Sequence, residues 1–387
     1  VTAAERLSRT AVVVLAVAAG AAIANDYALQ PAVGAIAVSM DATTARIAQA
    51  VAAAFAGYLA GLVLLVPLAD RVSARTLLSA QLAALAGCLA LAAASSTPAM
   101  LTVSLVLVGA ATTVAAQSSA IVGRLAPPEN RGAQLGTVSA GISAGLLLSR
   151  FVGGTLSDLV GWRGALLCLA VLLVACAALV VAVVPRSSPR APTPYLAALL
   201  GLPRLLRQHA MLRRATATGM LWFFSFNLVW VALAVELAEP PFSLSPSAIG
   251  LYGLVGALGL VVTRVAGQLA DRFGSARVIA VSLAVTAASA LVLTLTLGQP
   301  VPTALALATF DAGCFAAQVA NQSRVVALDP ARSGSLNAAY LTLYYAAGAV
   351  GAGIAGAIVT AGGWPAATLT AAVATAGGTL LSRASRR

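Results

Sequence analysis

The 387-residue sequence has no lysine, one histidine and eleven acidic residues, and charged residues of every kind make up only 9% of it. A water-soluble domain carries about a quarter of its residues as charges. So little charge leaves no means of clothing a soluble surface. Cysteine is scarce too: Cys88, Cys168, Cys176 and Cys314 each fall inside an apolar run, where a small buried hydrophobe is the reading, with no disulfide and no metal expected. The one histidine, His209, stands in a polar connector. No residues are spaced as a hydrolase triad, a metal cluster or a phosphate loop, so an enzyme, a cofactor and ATP-driven transport by this chain alone are not expected. The net charge of +12 invites a nucleic-acid reading, but the 23 basic residues are all Arg and sit between apolar runs rather than on one soluble face. No nucleic-acid partner is expected.

What the chain has in excess is apolar length: 60% of residues are hydrophobic and the mean hydropathy is +0.96. Runs of roughly twenty apolar residues, each long enough to cross a hydrocarbon layer of about 30 Å, recur throughout. Twelve spans are read, at 10–33, 45–66, 76–95, 99–122, 133–156, 164–185, 214–236, 247–268, 278–297, 302–323, 334–359 and 365–382. The first run resembles a signal peptide in charge, but its length and its Asn25 and Asp26 favour a first span. With the N-terminus inside, 19 arginines fall in cytoplasmic segments and only Arg46 and Arg163 outside, while Arg150 and Arg264 remain within spans. That bias requires an even count with both termini cytoplasmic, in a bacterial inner membrane.

Pro185 to Arg214 is the longest polar interruption, so the expected organisation is a six-helix bundle over 1–185, a linker over 186–213 and a second bundle over 214–387. The linker is read as a solvated connector; a basic amphipathic stretch from Tyr195 to Gln208 resting on anionic lipid is the alternative. Repetition supports two related halves. Leu68, Ala69, Asp70, Arg71 recurs as Leu269, Ala270, Asp271, Arg272 at an offset of 201, Arg131 has its counterpart in Arg332 at the same offset, and Gly161, Trp162 is echoed by Gly363, Trp364. Two six-helix halves rocking about a central site are what alternating access needs.

These residues carry a resemblance to the major facilitator superfamily that covers essentially the whole chain. Gly267, Leu269, Ala270, Asp271, Arg272, Gly274 and Arg277 resemble that family's loop signature. The copy after span two keeps Pro67 to Arg71 but has Val66 and Ser73 at usual glycines and Ala74 at a usual basic position. Asn25, Tyr27, Gln30 and Pro31, and the stretch from Leu125 through Pro127, Pro128, Arg131 and Gly132 to Gly161, Trp162 and Arg163, narrow the likeness to bacterial drug and metabolite exporters of the arabinose-efflux-permease-like kind. Gly132, Gly141 and Gly145 keep the antiporter spacing of span five, whereas Leu146 replaces its proline, Ser149 and Arg150 its glycine pair, and Leu105 stands near the arginine of span four. The resemblance implies an all-α fold of twelve transmembrane helices in two halves, a small-molecule substrate, and proton-coupled efflux (antiport). Symport or uniport of a nutrient stays open, and a polytopic enzyme or receptor is disfavoured. It also implies that Asp70, Arg71, Asp271 and Arg272 act as conformational gates. Protons and membrane lipid complete the expected partners of a monomeric carrier.

An ionisable side chain within a span costs a few kcal/mol by insertion scales and marks a functional candidate. Asp26 and Asp311 are the candidates for proton coupling. Asp26 shares a helical face with Gln30 and lies at the depth of Arg150, the expected ion-pair partner; a purely structural pair is the equal alternative. Arg264, near a span end, is read as snorkelling. Asp311, Gln318 and Gln322 form a polar stripe in span ten. Asn25, Tyr27, Gln30, Gln117, Asn227, Trp230, Tyr340 and Tyr344 complete the expected substrate cavity, suited to an amphipathic organic compound, with helix packing as the competing reading.

Overall fold

The computed structural model describes residues 7–126, 130–186, 204–256, 258–329 and 333–384; the side chains of Asp70, residues 258–261, Thr263, Arg264, Asp271, residues 333–335 and residue 384 are outside the description. Most of the expected linker, with Pro127, Pro128 and Arg332, also lies outside the described residues. Among the described residues every regular element is a helix. In chain order these are α1 (Arg9–Ala24), α2 (Val33–Ser39), α3 (Thr44–Leu64), α4 (Ala74–Ala93), α5 (Pro98–Ala111), α6 (Val114–Leu125), α7 (Arg131–Val183), α8 (Ala210–Ala238), α9 (Pro246–Val255), α10 (Leu258–Phe273), α11 (Ser275–Thr296), α12 (Pro300–Val326) and α13 (Ser333–Ala384).

Local chemistry sets where they start. Ser8, Ser73 and Thr97 each accept a hydrogen bond from a first-turn backbone N–H, of Ala11, Thr76 and Met100, satisfying donors that have no intrahelical partner. Pro98 and Pro300 stand in first turns, where the missing N–H costs nothing.

Two helices are too long for one crossing. At 1.5 Å per residue the 53 residues of α7 extend about 80 Å, more than twice the hydrocarbon thickness. Gly161, at φ 74° and ψ 159°, breaks α7 between spans five and six, and Gly362 and Gly363 (φ 64°) break α13 between spans eleven and twelve. A left-handed φ suits glycine. The tryptophan after each break pins the corner: Trp162 Nε1 donates to Ser39 Oγ at 2.9 Å and Trp364 Nε1 to the Leu293 carbonyl at 2.6 Å. With these two divided, and with α1–α2, α5–α6 and α9–α10 each making one interrupted span, the twelve crossings follow.

The interruptions have causes. Asn25 Nδ2 takes the carbonyls of Ala21 and Ala22 at 2.8 and 2.9 Å, and the chain passes through turns into a 3-10 turn at Gln30–Ala32 containing Pro31. At the α5–α6 junction Thr112 Oγ1 donates to Val108 O at 2.9 Å, while Gln81 Nε2 reaches Ala111 O at 3.0 Å.

The chain divides into two compact units, Val1–Ala42 with Ala53–Tyr195 and Ser245–Gly250, and Thr43–Ala52 with Leu196–Leu244 and Leu251–Arg387. They differ from the simple halves by exchanging the first turns of spans two and eight. In the first unit α1 lies so close to α7 that a methyl on Gly145 would overlap the Gly20 carbonyl oxygen, and the Ser247 N–H donates to Asp158 Oδ2 at 2.9 Å. In the second, α8 packs along α13, α11 lies against α12 and α13, and Thr44 hydrogen-bonds Glu239. Large apolar side chains such as Leu159, Val171, Leu295 and Val373 project outward, as a lipid-facing surface requires.

Candidate functional site

In the first unit the break in span one gathers polar groups. Asp26 is 2% exposed and its carboxyl meets the hydroxyl of Thr112. Arg150, on α7 and 3% exposed, donates from Nε to Gln30 Oε1 at 2.9 Å, and its guanidinium lies 4.9 Å from the centroid of the Tyr27 ring. Tyr27 in turn meets Phe55 edge-on at 5.4 Å. The Nε hydrogen bond therefore goes to Gln30 rather than to Asp26, the partner expected from depth. In one continuous helix residues 26 and 30 would share a face; turns and a 3-10 segment stand in place of that helix here. Gln30 Nε2 and Asn25 Oδ1 are buried without hydrogen bonds among the described residues.

The second unit holds an aromatic column on α8 and α13. Phe223 stacks on Tyr344 with centroids 3.9 Å apart and planes 16° apart, and Phe226 lies parallel to Phe223 at 6.1 Å. Trp222 contacts Phe223, Phe226 and Tyr344, and Trp230 follows Phe226 at 6.4 Å. Positions 223, 227 and 230 recur at three- and four-residue intervals, so they share one face. At the Trp230 end, the indole Nε1 donates to Asp311 Oδ1 at 3.1 Å, and Asp311 is 2% exposed on α12. Asn227 donates to Phe223 O at 2.9 Å. Towards the other end, Asn321 Nδ2 donates to Ala215 O at 2.8 Å and to the Tyr340 hydroxyl at 3.4 Å.

Of the expected site residues, Asn25, Tyr27 and Gln30 of the cavity fall with the ion-pair residue Arg150 in one unit, and Asn227, Trp230, Tyr340 and Tyr344 of the cavity with the proton-coupling residue Asp311 in the other. Gln318 and Gln322 continue the Asp311 face, half-buried, and Gln322 Nε2 donates to Asn337 Oδ1 at 2.9 Å. Gln117 stands apart: its Nε2 donates at 2.9 Å to Leu65 O, just beyond the end of α3, a role in helix packing. Arg71 Nη1 donates to Pro67 O at 3.0 Å across the 3-10 turn Val66–Asp70, and Arg272 is exposed with its guanidinium 5.2 Å from the Phe273 ring centroid. The carboxyls of Asp70 and Asp271 lie outside the described residues. Sequence reasoning passed over Thr112, Gln81, Asn321 and Trp222. The signal was there for Gln81 and Asn321, amides inside apolar spans; for Thr112 it was not, because serine and threonine recur in every span.

An all-helical chain with repeated membrane-length apolar helices and buried ionisable and amide groups inside the spans of each unit has the make-up of a membrane transporter. Residues 215–386 match the Major Facilitator Superfamily profile and residues 14–190 the profile for Sugar (and other) transporter. The chain is 30% identical over 358 residues to the uncharacterized transporter YgaY of Escherichia coli, covering 92% of this chain and 91% of that protein. It is 31% identical over 344 residues to the probable transporter SCO4007 of Streptomyces coelicolor, covering 88% and 79%. Its fold matches the nucleoside transporter NupG with a TM-score of 0.75 at 16% identity, covering 98% and 100% of the two chains. It matches a D-xylose–proton symporter with a TM-score of 0.74 at 14% identity, covering 96% of each. The chain belongs to the major facilitator superfamily and is a secondary transporter of a small molecule.

Proposed function

We propose that this transporter exports a small organic compound in exchange for protons by alternating access, with Asp311 as the proton carrier. The observation that carries the reading is a carboxyl 2% exposed within a membrane span that accepts a hydrogen bond from the indole N–H of Trp230 among aromatic side chains. A carboxyl in such surroundings changes protonation when its access to water changes. Asp26, beside Thr112, is a secondary carrier. The loops at Asp70–Arg71 and Asp271–Arg272 gate the motion, and the likeness to arabinose-efflux-permease-like exporters supports the outward direction. The chain sits in the bacterial inner membrane as a monomer with both termini cytoplasmic.

Nutrient symport is the second reading. It is favoured by the loss of the antiporter pattern at Leu146, Ser149 and Arg150, and one of the matching folds is that of a D-xylose–proton symporter. Proteoliposomes decide between the two. Under antiport, an acid interior drives compound accumulation; under symport, an acid exterior does. Asp311→Asn is expected to abolish gradient-driven accumulation, whereas Asp26→Asn retains a reduced rate. Undiminished accumulation by Asp311→Asn overturns the assignment of the carrier.

A further inference from the structure

One end of the second unit gathers arginines from two helices. α8 has no acidic residue in its first turn, where negative charge is the usual preference, and carries Arg213 and Arg214 there instead. α12 finishes with Arg324 in its last turn. The two helix ends are tied together: Asn321 Nδ2 donates to the Ala215 carbonyl at 2.8 Å, and Arg324 Nη2 reaches the Met211 sulfur. Arg324 stands one turn beyond Asn321 on the same face of α12, and Arg214 precedes Ala215. The charge of the exposed Arg214 therefore bears on the half-buried Arg324. Arg213 extends the patch, because its Nη1 donates to the carbonyls of Leu206 and Arg207 at 3.2 and 2.9 Å and draws the helical turn 204–208 against the start of α8. Arg207 on that turn is exposed.

Like charges at one helix end repel, and partial burial removes the water that would screen them. Asp329, five residues beyond Arg324, is the acid next in sequence, and one carboxylate leaves Arg207, Arg213, Arg214 and Arg324 with an excess of positive charge. A phosphate relieves that excess, since its oxygens match the fork of donors on a guanidinium. The position of the arginines indicates where the phosphate comes from. Arg214 opens span seven and Arg324 directly follows span ten, so both stand at the depth of lipid headgroups. The cytoplasmic leaflet presents anionic headgroups at that depth, and basic sites between transmembrane helices on that side take them.

We infer that the ends of α8 and α12 form a binding site for the phosphate of an anionic phospholipid, with Arg214 and Arg324 as its ligands and Arg207 and Arg213 at its rim. The inference takes from the proposed function only that this end is cytoplasmic. A headgroup held there bridges two helices that are also joined by the hydrogen bond from Trp230 to Asp311. Lipid composition then bears on the helix pair that carries the proton.

The test is thermal unfolding of the purified full chain in detergent, titrated with dioleoylphosphatidylglycerol, dioleoylphosphatidylcholine or inorganic phosphate. The phosphatidylglycerol is expected to raise the melting temperature at a concentration about tenfold lower than the phosphatidylcholine, and inorganic phosphate to leave it unchanged. Arg214→Gln and Arg324→Gln should each weaken the phosphatidylglycerol effect by about tenfold. Arg277→Gln, which removes an exposed arginine near the start of α11, should retain the effect. The comparison of lipids on the unaltered chain needs no variant to fold. Equal effects of the two lipids, or an equal effect of inorganic phosphate, overturns the inference. So does an undiminished response in Arg214→Gln and Arg324→Gln, or an equal loss in Arg277→Gln, which would mark a diffuse basic face. Binding to detergent-solubilised protein is blind to topology and to the direction of transport, so failure of the export reading leaves this result standing, and failure here leaves export untouched.

Discussion

Arg150 is a full charge placed within a membrane span, and its neighbours show how that is tolerated. Gln30 Oε1 takes the Nε hydrogen at 2.9 Å and the Tyr27 ring lies 4.9 Å from the guanidinium. A hydrogen bond to a buried charge is worth about 1.5–3 kcal/mol, and leaving the donor unmatched costs at least as much. Gln30→Leu is therefore expected to lower the melting temperature of the detergent-solubilised protein by roughly 2–4 °C. Asp26→Asn should change it much less, because the smallest amide replacement still meets Thr112 and leaves the Arg150 Nε contact in place. Equal losses in the two variants would show that Asp26 supports Arg150 after all. The sequence made both Arg150 and Gln30 visible as polar groups within apolar runs, but not their pairing, because that depends on where Asn25 diverts its own backbone carbonyls from the helix.

At the scale of the helix, apolar length and arginine placement were enough to read twelve crossings, yet not where three of them are interrupted. Gly161 and Gly363 were legible as part of a repeat, and their left-handed backbone explains why a glycine precedes tryptophan both times. The break after Ala111 was not, since Thr112 and Gln81 cause it from different helices. Small residues were legible as packing positions, and the structure separates those that matter. A methyl on Gly109 would overlap the carbonyl of Ala54, and one on Gly57 that of Val106, so these two glycines let α3 and α5 interlock backbone to backbone. By contrast, nothing lies within 4 Å of a methyl built on Gly87 in α4. Gly109→Val is expected to force the pair apart at a cost of about 3 kcal/mol, at the upper end for overpacking, and to show as low yield of folded protein in size-exclusion profiles. Gly87→Ala should match or exceed the parent by up to about 1 kcal/mol, through helix propensity. Parent-like behaviour of Gly109→Val would mean that the two helices do not pack this closely.

For the whole molecule, the repeat at an offset of 201 conveys architecture and hides chemistry. Each half reproduces the tryptophan corner, but the polar contents of the spans do not repeat: one unit holds Asp26, Gln30 and Arg150, the other an aromatic column ending on Asp311. That asymmetry was only partly readable, because the stacking of Phe223 on Tyr344 joins residues more than a hundred positions apart. Orientation, however, is set by a property that needs no contacts. Arginine near span ends is retained on the cytoplasmic side during insertion, and 19 of the 23 arginines fall in segments that alternate to one face if the spans number twelve, against two on the other. Omitting one span would place later arginine-rich segments on opposite faces, so the count and the orientation stand or fall together. In a background with Cys88, Cys168, Cys176 and Cys314 replaced, single cysteines at the exposed positions Ser96 and Gln299 should react with a membrane-impermeant maleimide in intact cells. Single cysteines at Ser8 and Arg186, also exposed, should react only after the membrane is opened. The four sites test both halves, because Ser96 precedes span four and Gln299 precedes span ten. Labelling of Ser8→Cys in intact cells with protection of Ser96→Cys would invert the topology, and opposite behaviour of Ser96→Cys and Gln299→Cys would show that the halves do not insert in parallel.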